Sequence, residues 1–170
     1  MSQTQEKITY TATPEQVERM HASFDAALDE AQGLLGKTYP MIINGKERTA
    51  AKTFAATSPV DRSIVLGNFQ LGTRQDVDDA VAAARAAYPG WSSRPYMERV
   101  TILRRAAELI RERKFLLSAL LIIECGKNRA EAIGEVEEGA DLIDEYCRQV
   151  EDSHGFEREM GSIDPREHNK

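Results

Sequence analysis

Apolar residues recur every three or four positions in several long stretches of the chain, which is the spacing of amphipathic helices. The first stretch covers residues 14–35. It follows Thr13 and Pro14, which suit the N-cap and the first turn of a helix. Gln16 completes a capping box, and Gly36 suits the position that ends a helix. This pattern predicts one N-terminal helix with a single packed face.

Short segments of alternating apolar and polar residues follow, and they predict two β-hairpins. Residues 39–43 and 46–50 flank Asn44-Gly45, a pair that favours a type I′ turn because both positions adopt positive φ. Residues 53–57 and 63–69 flank a second turn, which contains Ser58-Pro59. Strands this few and this short form a marginal sheet with exposed edges.

Three further apolar stretches predict helices that begin near Thr73, Ser92 and Asn128. The first of them carries a predicted buried stripe, with Trp91 expected to cap the core. The second ends at Gly126, and its charged residues 111–114 are expected to bend or interrupt it. The third runs from about residue 128 to about residue 150. The predicted architecture is α+β, with an N-terminal helix, short β-hairpins and then three packed helices. Because strands and helices do not alternate, we predict no Rossmann sheet in this chain.

Composition and charge exclude several classes of protein. A length of 170 residues with 41% hydrophobic content suits one modest domain. The net charge of −6 argues against a nucleic-acid partner, because phosphates repel an acidic surface. The N-terminus lacks the pattern of a signal peptide, the longest apolar run is too short for a membrane span, and two cysteines imply no disulfide scaffold. We therefore expect a cytoplasmic protein without membrane partners.

Charged residues concentrate in two helical segments. The basic cluster consists of Arg104, Arg105, Arg111, Arg113 and Lys114. The acidic stripe consists of Glu131, Glu135, Glu138, Asp141 and Glu145. Both are predicted to be mainly solvated helix faces. Glu138 is the exception, because Gly134, Gly139 and Ala140 are small and would let its carboxylate face a cleft.

No stretch carries a complete catalytic or metal-binding motif. The three histidines and two cysteines show no paired spacing of metal ligands. Cys125 lies at the predicted C-terminal end of a helix, where the dipole disfavours a thiolate. Cys125 and Cys147 are therefore predicted to be buried or semi-buried structural thiols. Gly126-Lys127 lacks the upstream glycines of a phosphate-binding loop.

A series of short motifs resembles the N-terminal part of the aldehyde dehydrogenase superfamily. These motifs are Ile42-Ile43-Asn44-Gly45-Lys46, the Ser58-Pro59 turn, Val77-x-x-Ala80-Val81-x-x-Ala84, the helix over residues 99–110, and Glu124-Cys125-Gly126-Lys127-Asn128-x-x-Glu131-Ala132. The resemblance covers roughly residues 15–170. The extra N-terminal helix, Tyr39-Pro40 and Glu135-Val136-x-Glu138 are most similar to the branch that oxidises L-glutamate γ-semialdehyde (Δ1-pyrroline-5-carboxylate).

The resemblance implies a division of the chain and a reaction for the complete enzyme. Residues 1–12 are expected to form a flexible tail, and residues 13–152 the helical and hairpin portion of the cofactor-binding domain. Residues 153–170 are expected to begin an oligomerisation hairpin and to stop in its first arm, with residues 156–160 as a strand. The complete enzyme is expected to oxidise the semialdehyde to glutamate in proline catabolism. It would do so through a thiohemiacetal on Cys, hydride transfer to NAD and thioester hydrolysis, with NADP left open.

The family's catalytic motifs are absent from these 170 residues, namely Pro-x-Asn-Phe-Pro, Glu-x-Gly-Gly and Gly-Gln-x-Cys. Cys125 stands where relatives usually carry Val or Thr, so it is not expected to be the nucleophile. The chain alone is therefore expected to be inactive, without catalytic residues, a metal or a cofactor of its own. By resemblance, Glu138 is expected to bind substrate near the aldehyde end of the tunnel.

Two interpretations of the chain stay open. It is either the N-terminal segment of a dehydrogenase, as a truncated product or one chain of a split enzyme, or a non-catalytic helical interaction module. The first interpretation implies the remaining dehydrogenase polypeptide or a complementing chain as partner, and a homo-oligomer for the complete enzyme. It is favoured by a chain that leaves sheet edges and apolar faces uncovered.

Overall fold

The computed structural model describes residues 13–158 and 160 of the chain. The elements, in order, are α1 (Pro14–Gln32), β1 (Thr38–Tyr39), β2 (Met41–Ile43), β3 (Lys46–Arg48), β4 (Thr53–Thr57), β5 (Val65–Gln70), α2 (Arg74–Ser92), α3 (Tyr96–Glu112), α4 (Lys114–Cys125), α5 (Arg129–Asp152) and a 3-10 helix (His154–Phe156). The described residues thus form an α+β fold, as the sequence predicts. None of these helices is both long and apolar enough to cross a membrane.

Helix α1 begins as predicted and ends earlier than predicted. The Thr13 hydroxyl accepts a hydrogen bond from the Gln16 N–H at 3.3 Å, and the Gln16 side chain accepts one from the Thr13 N–H at 2.6 Å. This reciprocal pair is the predicted capping box. The helix ends at Gln32, so the prediction that Gly36 ends it is wrong. Gly36 instead donates its N–H to the Val65 carbonyl at 2.9 Å and joins α1 to the sheet.

Both predicted hairpins are present. Asn44 and Gly45 have φ values of 52° and 70°, as a type I′ turn requires, and they join β2 to β3. Strands β4 and β5 pair antiparallel, with an irregularity in register between Ala56 and Thr57. The sheet order is β1-β5-β4, because β1 also pairs with β5 in parallel. That third pairing was not predicted, since a two-residue strand leaves no pattern in the sequence.

Gly67 in the central strand β5 makes room for an aromatic cluster on the sheet. A Cβ atom at Gly67 would lie 3.0 Å from the Tyr39 ring. The Tyr39 ring stacks on Phe69 with centroids 5.5 Å apart, and its hydroxyl donates to the Leu34 carbonyl at 2.6 Å. Phe54, the residue of β4 that pairs with Phe69, packs against the Phe69 ring at 5.9 Å between centroids. Tyr39 therefore ties the end of α1 to the sheet.

The hydrophobic core lies where α1, α4 and α5 meet. Phe24 is fully buried, packs against Ile133, and meets the Phe115 ring edge-on at 5.4 Å between centroids. Next to it, the buried small residues Ala27, Ala31 and Ala119 form a second cluster. Alanines at these positions let α1 and α4 approach closely.

The third predicted helix is two helices, α3 and α4, which break at Arg113. The charged segment 111–114 therefore interrupts the helix, one of the two outcomes the sequence allowed. Within the described residues, four α-helices, rather than the predicted three, follow the strands, and a 3-10 helix comes after them.

The predicted solvated basic face is wrong for three of its five members, because α3 and the start of α4 pair with acidic residues of the antiparallel helix α5. The contacts are Arg104 to Asp144 at 3.3 Å and to Glu151 at 2.5 Å, Arg111 to Asp141 at 2.9 Å, and Lys114 to Glu137 at 2.8 Å. Lys114 is only 5% exposed. The pairing joins the basic cluster to the acidic helix and fixes the register of α3 on α5.

Helix α2 begins at its N-cap, Thr73, as predicted, but does not have the predicted buried face. The Thr73 N–H donates to Asp76 at 2.7 Å, and Arg48 from the hairpin contacts Asp76 at 3.0 Å and Asp79 at 2.6 Å. No residue of α2 is buried by the described part of the chain, and Trp91 is 39% exposed rather than capping the core. The helix is therefore anchored at its N-terminal end and open along its apolar side.

Two predicted segments fall mainly outside the described residues. The tail at residues 1–12 is not described, and the hairpin at residues 153–170 is described only through 158 and at 160. Phe156 closes the 3-10 helix, and residues 157 and 158 have no regular structure, so the start of the predicted strand is wrong. The tail and the oligomerisation hairpin remain predictions.

Candidate functional site

The Gly126 junction between α4 and α5 is built as a helix-to-helix connection. Gly126 has φ of 73° and donates its N–H to the Ile122 carbonyl at 3.0 Å, which ends α4. Asn128 then caps α5 by accepting the Glu131 N–H at 2.9 Å. The Lys127 ammonium hydrogen-bonds Glu135, which raises the pKa of Lys127. The lysine is therefore engaged by a carboxylate, in agreement with the sequence argument against a phosphate loop.

The turn between β4 and β5 holds the end of α4 in place. The buried Ser58 hydroxyl donates to the Ile123 carbonyl at 2.5 Å and accepts from the Val60 N–H at 3.2 Å. A Cβ atom at Gly126 would lie 3.4 Å from the Val60 side chain. The Ser58-Pro59 turn and the Gly126 junction, two of the family motifs, thus contact each other directly.

Helix α5 has one face in the core and one face open. The buried face consists of Ala132, Ile133, Val136, Ala140 and Cys147. We call the opposite side the α5 outer face, and it consists of Gly134, Glu138, Gly139, Leu142 and Tyr146. Leu142 and Tyr146 are 49% and 64% exposed, and added Cβ atoms at Gly134 and Gly139 would meet no atom within 4 Å. The close packing expected around these glycines is therefore not supplied by the described residues.

Glu138 lies on the α5 outer face with its carboxylate exposed. Among the described residues, no cation or hydrogen-bond donor is recorded on this carboxylate. A carboxylate between two glycines and beside Leu142 offers a negative charge and acceptor oxygens on a surface that another polypeptide can approach closely. It has no partner here to exchange a proton with, so the arrangement suits binding or positioning. The predicted cleft beside Glu138 stays a prediction.

The two cysteines differ in their surroundings. Cys147 is buried as predicted, with its sulfur 3.9 Å from the Val100 carbonyl, and burial raises the pKa of its thiol. Cys125 is exposed, so the prediction of a buried or semi-buried thiol is wrong. It is the last residue of α4, where the chain turns away at Gly126. Across residues 13–158 and 160, no group of three or more His, Cys, Asp or Glu side chains could hold a metal ion.

Sequence reasoning missed the ion-pair contacts between α3 and α5, although a signal for them exists. Arg104 and Arg111 are seven residues apart, and so are Glu137 and Asp144, which matches the spacing of facing positions on two packed helices. It also missed Glu124, which lines a cavity together with apolar residues of α4, the sheet and the turn after α1. No local pattern marks that carboxylate, because the cavity forms only when distant segments come together.

Comparison with known proteins places this geometry in a family. The sequence profile of the aldehyde dehydrogenase family matches residues 46–169. Over 128 residues the chain is 37% identical to 1-pyrroline-5-carboxylate dehydrogenase from Staphylococcus saprophyticus. The aligned residues are 75% of this chain and 25% of that protein. A mutant of the Thermus thermophilus enzyme of the same name shares its fold, with a TM-score of 0.81 and 28% identity over 94% of this chain. The Thermus enzyme with bound NAD matches with a TM-score of 0.75 over the same share.

These matches also fix how much of the relatives the chain represents. It spans about a quarter of the curated relative and 30% of the solved Thermus chains. The structural match covers more of the chain than the profile match, which begins at residue 46. It therefore extends into the N-terminal part of the chain that contains α1, the additional helix of the semialdehyde-oxidising branch. The resemblance seen in the sequence motifs is confirmed. The chain belongs to the aldehyde dehydrogenase family.

Proposed function

We propose that this chain forms the N-terminal helical part of an NAD-dependent dehydrogenase that oxidises L-glutamate γ-semialdehyde, the open form of 1-pyrroline-5-carboxylate, to glutamate in proline catabolism. The observation that carries this proposal is the shared fold with a 1-pyrroline-5-carboxylate dehydrogenase over 94% of the chain, at a TM-score of 0.81. The curated relative of the same name supports the same substrate.

The reacting groups of this enzyme are assigned to polypeptide outside the described residues. Aldehyde oxidation by this family needs an activated thiolate. Burial disfavours a thiolate at Cys147. Cys125 is the last residue of α4, at its C-terminal end, whereas activated thiolates lie at helix N-termini or beside cationic groups that activate them. Neither cysteine therefore suits the nucleophile, and the chain alone is expected to be inactive.

The described residues also do not suit the binding of NAD, whose chemistry in such enzymes is to accept a hydride. The strand-to-helix connection from β5 to α2 contains one glycine, Gly72, rather than a glycine-rich loop. The Asp76 carboxylate occupies the N-terminal end of α2, where it would repel a pyrophosphate. NAD binding is therefore assigned to another part of the complete enzyme.

The partner of this chain is proposed to be the remaining dehydrogenase polypeptide, whether it continues the same chain or is supplied by a complementing one. Helix α2 is 19 residues long and exposes Val77, Val81, Tyr88 and Trp91 on one side. Most helices in proteins owe their stability to packing of such a side, so α2 requires a cover. The α5 outer face is open in the same way. The complete enzyme is further proposed to be a homo-oligomer.

Within this assembly, Glu138 is proposed to bind substrate. Its carboxylate would position the semialdehyde by charge and by accepting a hydrogen bond, because among the described residues no side chain is bonded to it for proton exchange. Removing a hydrogen bond to a charged group from the bound substrate costs about 1.5–3 kcal/mol, which is about tenfold or more in affinity.

A chimera tests the proposal. Residues 13–158 of this chain replace the matching segment of the Staphylococcus saprophyticus relative, and oxidation of 1-pyrroline-5-carboxylate is measured with NAD. Glu138→Gln should lower kcat/KM about tenfold, mainly through KM for the substrate, and leave KM for NAD unchanged. Glu131→Gln, an exposed carboxylate on the same helix, should change neither constant more than about twofold.

The opposite results separate the interpretations. An unchanged substrate KM in a folded Glu138→Gln chimera would remove Glu138 from the binding site. A folded chimera that binds NAD but oxidises nothing would favour the non-catalytic interaction module.

A further inference from the structure

A cavity of about 330 Å³ lies between the end of α1, the sheet and α4. Its lining includes Leu34, Tyr39, Leu66, Phe69, Leu120 and Glu124. This volume is at the lower end of the range of roughly 300–1,000 Å³ for small-molecule sites. No residue of the proposed dehydrogenase site lines it.

The polar side-chain groups described in the cavity are the Tyr39 hydroxyl and the Glu124 carboxylate, and only the carboxylate carries a charge. The Tyr39 hydroxyl donates its proton to the Leu34 carbonyl at 2.6 Å, so it offers no donor to a ligand. Glu124 is exposed at the cavity, and in the part of the chain that the structure describes no cation or donor is recorded on its carboxylate. The walls thus combine an apolar surface with one available negative charge.

The walls of the cavity are held by contacts among the lining residues and by the Ser58 turn. The Tyr39 ring is fixed between Phe69, at 5.5 Å between centroids, and the backbone of Gly67. The Ser58 hydroxyl fixes the Ile123 carbonyl, immediately before Glu124, at 2.5 Å. A ligand that enters a preformed site loses less free energy to ordering of the protein.

We propose that this cavity binds small hydrophobic amines, whose ammonium group pairs with Glu124 and whose apolar body packs between Leu66, Phe69 and Leu120. Charge complementarity selects this class. A carboxylate or phosphate ligand would be repelled by the Glu124 charge, and no lining side chain among the described residues is cationic. The proposed site therefore differs from a site for an acidic semialdehyde and does not depend on it.

Three matched probes test the class of ligand on the full 170-residue chain by equilibrium dialysis. They are 4-phenylbutylamine, the neutral 4-phenylbutan-1-ol and the anionic 4-phenylbutyrate. The amine should bind with Kd on the order of 0.1–1 mM, and the alcohol about threefold to fivefold more weakly. Added salt should weaken the amine and leave the alcohol unchanged. Absence of amine binding, or an alcohol or carboxylate that binds as tightly as the amine, would overturn the proposal.

Matched variants locate the site. Glu124→Gln should bring the amine to the affinity of the alcohol, whereas Glu18→Gln, an exposed carboxylate near the other end of α1, should not. Ala56 of β4 also lines the cavity. Ala56→Phe should therefore fill the cavity and weaken binding of the amine and of the alcohol, whereas Ala55→Phe, on the opposite side of β4, should weaken neither. Because Glu124 is exposed, its variant tests the proposal even if Ala56→Phe fails to fold. Equal losses in the Glu124 and Glu18 variants would contradict it.

Discussion

Substituting Val81 and Tyr88 by lysine would remove the centre of the apolar side of α2. These side chains are 47% and 67% exposed. Full burial of such a side chain contributes about 1.5–3 kcal/mol, so covering the exposed half of each contributes about 1–1.5 kcal/mol. Together they contribute about 2–3 kcal/mol to any association that covers α2, which corresponds to roughly thirtyfold to a hundredfold in affinity. The added ammonium groups increase the loss, because they resist desolvation.

The assay is sedimentation equilibrium of the isolated 170-residue chain, together with urea unfolding. We expect the unmodified chain to self-associate through its open apolar faces; the alternative, a molten chain, would unfold without a cooperative transition. Val81→Lys/Tyr88→Lys should weaken self-association at least tenfold. The effect stays below a hundredfold because two copies of the chain fit each other less well than a matched partner would. The free energy of unfolding should change by less than about 0.5 kcal/mol, since both side chains are exposed and lysine favours helices.

Ala82→Lys/Ala86→Lys provides the control, because these exposed alanines lie on the other side of α2. This variant should associate like the unmodified chain. A chain that is monomeric at all concentrations and unfolds in one sharp, cooperative transition would show that α2 needs no cover. If the Val81→Lys/Tyr88→Lys variant lowered the free energy of unfolding by more than about 1 kcal/mol, α2 would be packed within the chain itself.

Three further changes test the fold. Gly67→Ala should lower the free energy of unfolding by about 1–3 kcal/mol because its Cβ meets the neighbouring ring at 3.0 Å, whereas Gly134→Ala, facing open space, should raise it by about 0.5–1 kcal/mol; equal effects in urea would refute the steric reason. Phe24→Ala should cost about 3–5 kcal/mol, and a loss below about 1 kcal/mol in thermal unfolding would place the core elsewhere. The hydrogen bond from the Thr73 backbone N–H is the main cause that lowers the pKa of Asp76 from 3.8 to about 2. The ionised Asp76 carboxylate therefore stabilises α2 fully above about pH 4, and this stabilisation is lost as the pH falls towards 2. Circular dichroism should show a smaller acid-induced loss of helix in Asp76→Asn, and an unchanged acid profile would contradict this assignment.

The sequence predicts the elements whose signals are local. The capping residues at Thr13, Thr73 and Asn128 each lie at the start of an observed helix, and Asn44-Gly45 forms the predicted turn. These signals depend on hydrogen bonds between residues a few positions apart, so the sequence contains the whole interaction. The parallel pairing of β1 with β5 depends on segments about thirty residues apart, and it was missed.

Burial was predicted less well, because a pattern shows that a face is apolar without showing what covers it. The apolar side of α2 is real, yet the described residues leave it exposed. The reverse error occurred at Lys114, which looks like a surface residue in sequence but is buried against Glu137. Cys125 is predicted from its place at a helix end to be a buried or semi-buried structural thiol, yet as the final residue of α4 it is exposed.

The candidate site was predicted only in part. Its acidic residue, Glu138, came from resemblance to a family, and its geometry here consists of an exposed carboxylate beside glycines that face open space. A role in substrate binding needs atoms on the other side of that space, and no pattern within the chain supplies them. The cavity at Glu124 could not be predicted, because its lining comes from three separate segments of the chain.

NADH formation from 1-pyrroline-5-carboxylate, followed by absorbance, tests the proposed function most directly when the chimera and the isolated chain are compared side by side. The chimera that carries residues 13–158 should oxidise the substrate within about tenfold of its parent enzyme, since a shared fold preserves the geometry on which the rate depends. The isolated 170-residue chain should show no turnover above background. Turnover by the isolated chain, or a folded, NAD-binding chimera that leaves the substrate unoxidised, would contradict the proposed function.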